Sequence, residues 1–351
     1  MVPSDNFVIP KGSTVMVTGV NGFIGSHVAD QFLQFGFKVR GTVRDTAKNT
    51  WVSNLFEKKY GKGSFELVSV PNMTVDGALD EGVKGVSALI HVATVVNLSP
   101  DPNQVIPTAI DGAVNAIKSA YKEPSVRRFV LTSSTATLMP VNPEKRQDGL
   151  VITHDTWSED AVELAWAPPP YAPERSLPVY AASKIEQERA IWKFYDENKD
   201  KRPDMVVNTV LPNLNLGKSL DLVHQGHAST SCVPVALWAG EKVPDWIDDP
   251  TYFIDVQDDA LLHIAAAVLP DVKGERIFGM AEPLNWDKIL AILRKQNPGR
   301  RFYKNFADGG YSLTVEPRDR AEHLLRELGR PGWTSLEDSI LGNTEDLREA
   351  S

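Results

Sequence analysis

The chain has 351 residues, 42% of them hydrophobic and 24% charged, and a formal net charge of −9. This is an ordinary globular balance, long enough for one large or two medium domains. No block of lysine or arginine offsets the acidic balance, which argues against nucleic acid or an anionic membrane surface as partner, since both require a basic face.

Cys232 is the single cysteine, which excludes an intramolecular disulfide and any zinc site built on two or more thiolates. No metal is expected, and beside Val233 and Pro234 this residue reads as a small hydrophobe. Sparse cysteine suggests a reducing compartment. The near-apolar runs Ala88–Val96 and Ala260–Leu269 fall short of the ~18 residues of a membrane span. The first apolar run begins by Thr14, leaving no room for a presequence, and the final Glu-Ala-Ser is no retention tag. The expectation is a cytoplasmic protein without a membrane partner.

In chain order, Thr14–Thr18 reads as a strand, apolar over most of its length as a strand covered on both faces must be. "VTGVNGFIGS" follows it, with Gly19, Gly22 and Gly25 at every third position, and a helical pattern runs from Gly25 to Phe35. A strand, a glycine turn and a helix are the setting of a dinucleotide-binding fingerprint. Gly19 permits the sharp turn, Gly22 lets the backbone approach a pyrophosphate, and Gly25 lets the helix pack closely. Asn21, Phe23 and Ile24 complete the cradle, whose free N–H groups receive the anion. A purely structural turn is the competing reading.

The second strand, Lys38–Val43, ends where an Asp or Glu would hold the ribose 2′-hydroxyl of NAD. Val43 stands there instead, followed by Arg44 and, a turn later, Lys48. An apolar residue with two cations beside it suits a 2′-phosphate, hence NADPH. Asp45 complicates this, because a register shift of two restores a carboxylate; a solvated surface cluster is the other reading of Arg44 and Lys48.

Ser64–Val70, Ala88–Val92, Arg128–Thr132 and Met205–Leu211 read as further strands, and Ala109–Tyr121 as an amphipathic helix. Such alternation implies parallel pairing with right-handed crossovers, an α/β doubly wound sheet of Rossmann type. "VLTSST" offers Thr132, Ser133, Ser134 and Thr135 at one strand end, any of which could donate to a developing oxyanion. Spacing leaves the choice open.

From Pro140 to Pro178 the alternation stops. Pro168, Pro169, Pro170, Pro173 and Pro178 make this stretch loop-like, and a connection so long is usually functional or disordered. Trp157, Trp166 and Tyr171 favour a packed cover. "YAASK" then puts Tyr180 and Lys184 on one face of a helix beginning after Pro178. The lysine ammonium is expected to lower the phenol from ~10 toward ~7, which requires ~4 kcal/mol, and Tyr180 would act as proton donor. Tyr195 and Lys199 repeat the spacing amid Asp196, Glu197 and Asp200, at a solvated helix end.

Beyond Leu211 the pattern turns irregular. Ala321–Leu328 reads as a helix stopped by Gly329 and Pro331, and Thr334 with Glu337 as a capping box opening a last helix. The resulting division is a Rossmann domain, 1–211, with a covering segment, 140–178, and a smaller C-terminal substrate domain, 212–351, whose elements are free to interleave.

Together the glycine turn, the "TSS" strand end and Tyr180-x-x-x-Lys184 resemble the extended short-chain dehydrogenase/reductase family. "VRGTVRD", "RFVLTSS", "VYAASK" and "LGRPGW" resemble its NADPH-dependent fungal aldehyde and carbonyl reductases, relatives of plant dihydroflavonol reductase, from about Gly12 to Ile340. The resemblance implies that Ser134 binds the substrate carbonyl and that Tyr180 donates the proton. It implies that Lys184 holds the nicotinamide ribose and that Arg44 takes the 2′-phosphate. It further places Ala93 and Thr94 along the adenosine and Pro212 beside the nicotinamide. The family's Asp-plus-apolar pair at the adenine amino group is here Asn72-Met73, whose amide oxygen can still accept.

The implied activity is reduction of an aldehyde, ketone or keto ester to an alcohol with NADPH. A nucleotide-sugar epimerase or dehydratase shares fold and triad, but the missing acid at Val43 argues against tightly held NAD. A non-catalytic NADP-sensing protein is the other alternative, disfavoured by the retained Tyr–Lys pair. The substrate, a hydrophobic carbonyl compound, is expected against Pro140–Pro178, Asn213–Leu216 and Ser229–Trp238, with core packing as the competing role of those residues. A homodimer is compatible with the sequence.

Overall fold

The computed structural model describes residues 6–94, 98–146, 148–241, 252–302, 304–306 and 313–349. Its first part alternates strand and helix: β1 (Thr14–Thr18), α1 (Phe23–Gln34), β2 (Lys38–Val43), α2 (Thr50–Tyr60), β3 (Phe65–Ser69), β4 (Ala88–His91), α3 (Pro102–Lys122) and β5 (Arg128–Thr132). The cover follows with β6 (Leu150–Ile152) and α4 (Glu159–Ala165), then α5 (Ser176–Asn198), β7 (Val206–Pro212) and β8 (Leu214–Leu216). The remainder comprises α6 (Leu222–Gln225), α7 (Cys232–Ala239), β9 (Tyr252–Asp255), α8 (Val256–Val268), β10 (Arg276–Gly279), β11 (Glu282–Pro283) and α9 (Trp286–Gln296). After it come β12 (Leu313–Val315), α10 (Arg318–Glu327), α11 (Leu336–Asn343) and α12 (Glu345–Glu349).

The main sheet has seven strands in the order β3-β2-β1-β4-β5-β7-β10, and each neighbouring pair is parallel. This is the doubly wound sheet expected. Its order reverses between β1 and β4, and a crevice opens beyond the carboxyl ends of strands at such a switch point. β1, β4, β5 and β7 are buried nearly throughout, which explains their apolar runs.

Three helices begin earlier than the sequence suggests, and proline explains two of them. α3 starts at Pro102, with the Asp101 carboxylate accepting from Asn103 N, and carries Pro107 inside it. α5 starts at Ser176 and contains Pro178 in its first turn. An early proline removes an N–H that has little or no intrahelical use, so it is tolerated there. α1 starts at Phe23 rather than Gly25. The last capping residue is Ser335, not Thr334: Ser335 accepts from Asp338 N, while Thr334 N is drawn to the buried Asp258 carboxylate at 2.6 Å.

The cover packs as expected in one part only. β6 pairs in parallel with β12, and Trp157 lies 3.9 Å beneath the Arg276 guanidinium. Trp166, by contrast, is 46% exposed. β8, β9 and β11 form a small sheet that packs with α7, α9 and α11 around Leu216, Val233, Leu237, Phe253 and Ile289. The C-terminal part is interleaved: Ala260, Ile264 and Leu324 join the core under the main sheet, and β10 completes that sheet beside β7. No helix among the described residues is long and apolar enough to cross a membrane.

Candidate active site

A cavity of about 580 Å³ opens at the switch point, lined by Gly19, Asn21, Gly22, Phe23, Ile24, Gly25, Arg44, Lys48, Met73, Ala93 and Thr94 among others. The three glycines play different parts. Gly19 has φ +71 and would bring a Cβ to 3.1 Å from that of Ala93. At Gly25 a Cβ would lie 2.2 Å from the Gly19 carbonyl oxygen, which no side chain can accommodate. Gly22 is different, since its Cβ would meet nothing nearer than 3.4 Å. The fold leaves room there, and what occupies the room is bare backbone facing the cavity. No side chain caps α1 and its first turn carries no acid, so the leading N–H groups stay open to an anion. The residues present therefore fit a dinucleotide pyrophosphate.

At the rim, Val43 is the last residue of β2, and the exposed Arg44 has no ion pair among the described residues. Asp45 turns away into its own turn, where its carboxylate accepts from Lys48 N at 3.2 Å. It also pairs with the Lys48 ammonium at 3.7 Å. Asn72 is not brought to the cavity wall. It is exposed, and its Oδ1 accepts from Thr74 N and Thr74 Oγ1 at 3.0 and 2.8 Å. An Asx turn thus uses the acceptor that sequence reasoning assigned to adenine. Pro212 closes β7, its carbonyl 3.4 Å from Thr135 Oγ1.

Burial sorts the four hydroxyls at the end of β5. Thr132 Oγ1 lies 2.7 Å from His263 Nε2, Ser133 Oγ donates to Glu188 at 2.6 Å, and Thr135 Oγ1 donates to Pro212. Ser134 is the one that reaches Tyr180: burial raises the phenol above its ordinary value, and a hydrogen bond from the Ser134 hydroxyl opposes the rise. Lys184 is buried, and its Nζ donates to Thr132 O at 3.1 Å and Gln187 Oε1 at 3.4 Å. Burial brings its ammonium down to about 8 against the opposing charge of Glu188. The expected lowering of Tyr180 by Lys184 is thus not what this geometry produces. The ammonium points to the end of β5, and burial sets the direction for the phenol.

The second Tyr–Lys pair stands apart: Lys199 is exposed and holds Asp196 at 3.0 Å. The stretch Ser229–Trp238 mostly packs the smaller core, and only Ser229, at φ +55, reaches the cavity. Sequence reasoning missed Gln225, whose amide donates to Asn21 O, Gly22 O and Ser26 Oγ at 3.3, 3.2 and 3.0 Å. No local signal marks a contact across that sequence distance. It also missed His91, a buried imidazole brought down to about 3 chiefly by burial, with Nδ1 at 3.2 Å from Thr18 Oγ1.

The family model described as NAD dependent epimerase/dehydratase matches residues 15–229. Aldehyde reductase 2 of Sporidiobolus salmonicolor is 40% identical over 341 residues, covering 97% of each chain. Ketoreductase adrE of Penicillium rubens is 36% identical over 349 residues, covering 97% of this chain and 98% of its own. Among solved structures, yeast methylglyoxal/isovaleraldehyde reductase Gre2 complexed with NADPH superimposes with a TM-score of 0.80 at 22% identity, covering 96% of this chain and 98% of its own.

Proposed function

The chain belongs to the NAD dependent epimerase/dehydratase family, the extended short-chain dehydrogenase/reductases, and on that premise we propose that it is an NADPH-dependent reductase of aldehydes and ketones, keto esters included. The observation that carries the reading is the meeting of the end of β5 with α5, where Lys184 Nζ donates to Thr132 O at 3.1 Å and the Ser134 hydroxyl acts on the Tyr180 phenol. Relatives named aldehyde reductase and ketoreductase support it over nearly the whole chain.

Bound in the cavity, NADPH supplies the hydride that the carbonyl carbon accepts. The Ser134 hydroxyl holds the carbonyl oxygen as charge develops on it, and the Tyr180 Oη–H delivers the proton that makes it an alcohol. Raised by burial, the phenol keeps its proton at neutral pH, as a donor in the reducing direction requires. Lys184, a turn along α5, presents a positive charge to the cofactor's ribose side and to the end of β5. Gly22 and the first turn of α1 would hold the pyrophosphate, and Arg44 would hold the 2′-phosphate with Lys48 beside it. Ala93, Thr94 and Met73, which line the cavity, would hold the adenosine, and Pro212 would stand on the nicotinamide side. A cytoplasmic location fits the single cysteine.

The nucleotide-sugar reading is disfavoured by Val43 and by Arg44, which has no ion pair among the described residues; both suit NADPH. The test is oxidation of NADPH and NADH by purified protein across aldehydes, aryl ketones and β-keto esters. NADPH should be preferred by at least about tenfold, the worth of one charge-assisted contact to the phosphate. Equal use of NADH would remove the assignment of Arg44. Tight NADPH binding with no carbonyl reduced would restore the sensing alternative.

A further inference from the structure

Glu188 lies one helical turn beyond Lys184 on α5 and is fully buried. Its Oε2 accepts from Ser133 Oγ at 2.6 Å. Its Oε1 accepts from Arg276 Nε at 2.8 Å, Thr209 Oγ1 at 3.0 Å and Trp192 Nε1 at 3.2 Å. Arg276 is itself nearly buried and extends the network into the cover. Its Nη1 donates to the carbonyls of His154 and Thr156 at 2.6 and 3.0 Å, and its Nη2 to Thr137 Oγ1 at 3.3 Å. The flat guanidinium covers the Trp157 ring. One carboxylate and one guanidinium therefore gather α5, the end of β5, β7, β10 and the cover.

A buried ion pair contributes little stability over a well-packed apolar pair, because desolvating both charges offsets their attraction. What an apolar pair cannot do is hold so many hydrogen-bond donors in fixed directions at once. The groups held here are neighbours of the reacting ones. Ser133 precedes Ser134, Glu188 follows Lys184 by one turn, and His154, Thr156 and Trp157 belong to the cover.

We infer that Glu188 and Arg276 are positioning residues that lock the cover to Ser134 and Lys184, so that cover and catalytic groups hold one arrangement as a unit. The inference rests on the roles proposed above for Ser134, Tyr180 and Lys184. Neither Glu188 nor Arg276 touches the reacting atoms.

The test compares wild type with Glu188→Gln and with the double variant Glu188→Gln/Arg276→Met, which removes both charges of the pair together. Three quantities are read: NADPH affinity by tryptophan fluorescence, kcat and KM for one aldehyde, and amide hydrogen exchange of cofactor-free protein over 133–138 and 153–158. The double variant should melt near wild type and bind NADPH within about twofold, yet lose kcat by about 10- to 100-fold, the scale of a small misplacement of reacting groups. Exchange should rise in both segments together. A folded double variant with wild-type kcat, or exchange that rises in one segment alone, overturns the inference. Should the double variant not fold, Glu188→Gln alone decides by the same readings. Wild-type protein that reduces no carbonyl defeats the functional reading instead, while the exchange comparison still decides whether the two segments are locked together.

Discussion

Arg44 and Lys48 are adjacent cations with different freedom. Lys48 is held by Asp45, whereas Arg44 faces the cavity with its guanidinium unpaired among the described residues. Removing a charge-assisted contact to phosphate costs about 1.5–3 kcal/mol, or about 10- to 100-fold in affinity. Arg44→Ala should therefore weaken NADPH by that factor and leave NADH nearly unchanged, as measured by titration of each cofactor. A parallel loss for both would assign Arg44 to the fold rather than to the phosphate. At this scale the glycines and the Tyr–Lys pair were legible because spacing alone carries them. Spacing did not select Ser134, which came from the family resemblance alone, because the choice depends on where Thr132, Ser133 and Thr135 find partners across the fold. The local use of the Asn72 acceptor by Thr74, two residues away, was not legible either.

α5 carries Tyr180, Lys184 and Glu188 at intervals of one turn, so a single helix supplies the proposed proton donor, the ammonium and the carboxylate whose charge opposes the effect of burial on it. Burial holds Lys184 down to about 8. The charged form is present below that value and lost above it, so kcat for reduction should fall as pH rises through about 8. A pH–rate profile at saturating NADPH checks this, and a flat profile to pH 10 contradicts a role for the charge. The Tyr–Lys spacing on α5 was legible, but the start of the helix was not. A proline reads as a breaker in sequence, yet Pro178 sits in the first turn, where its missing N–H costs little. In α3 the first residue is likewise a proline, Pro102, while Pro107 is carried inside the helix. The packing of Trp157 was legible in the segment 140–178, but the residue it packs under, Arg276, arrives from β10 by the tertiary fold.

For the molecule as a whole, buried titratable groups set the pH of greatest stability. Burial brings His27 and His263 to about 4 and His91 to about 3. Unfolded histidines take up protons near 6.5 while these do not, so stability falls as pH drops below 6.5. Asp255 and Asp259 act in the opposite sense, raised by burial to about 6 and about 8. They keep protons that the unfolded chain has released, so stability falls as pH rises from about 4 toward those values. Below 6.5 the histidines outweigh the aspartates, and above it Asp259 prevails. The melting temperature should peak at about pH 6.5, and a monotonic climb from pH 5 to 8 would contradict these assignments. The doubly wound sheet was legible at this scale because buried parallel strands are apolar runs. The return of α8 and β10 to the main sheet was less so, since strand order is a property of pairing and leaves no local mark.

The central claim is that Tyr180 hands its proton to a carbonyl oxygen while NADPH reduces the carbon. Single-turnover reduction of an aldehyde by wild type and by Tyr180→Phe, each preloaded with NADPH, tests it most directly. The variant should bind NADPH within about twofold of wild type and reduce the aldehyde about 100-fold or more slowly, the worth of a positioned general acid. Reduction by the variant at the wild-type rate would contradict the account.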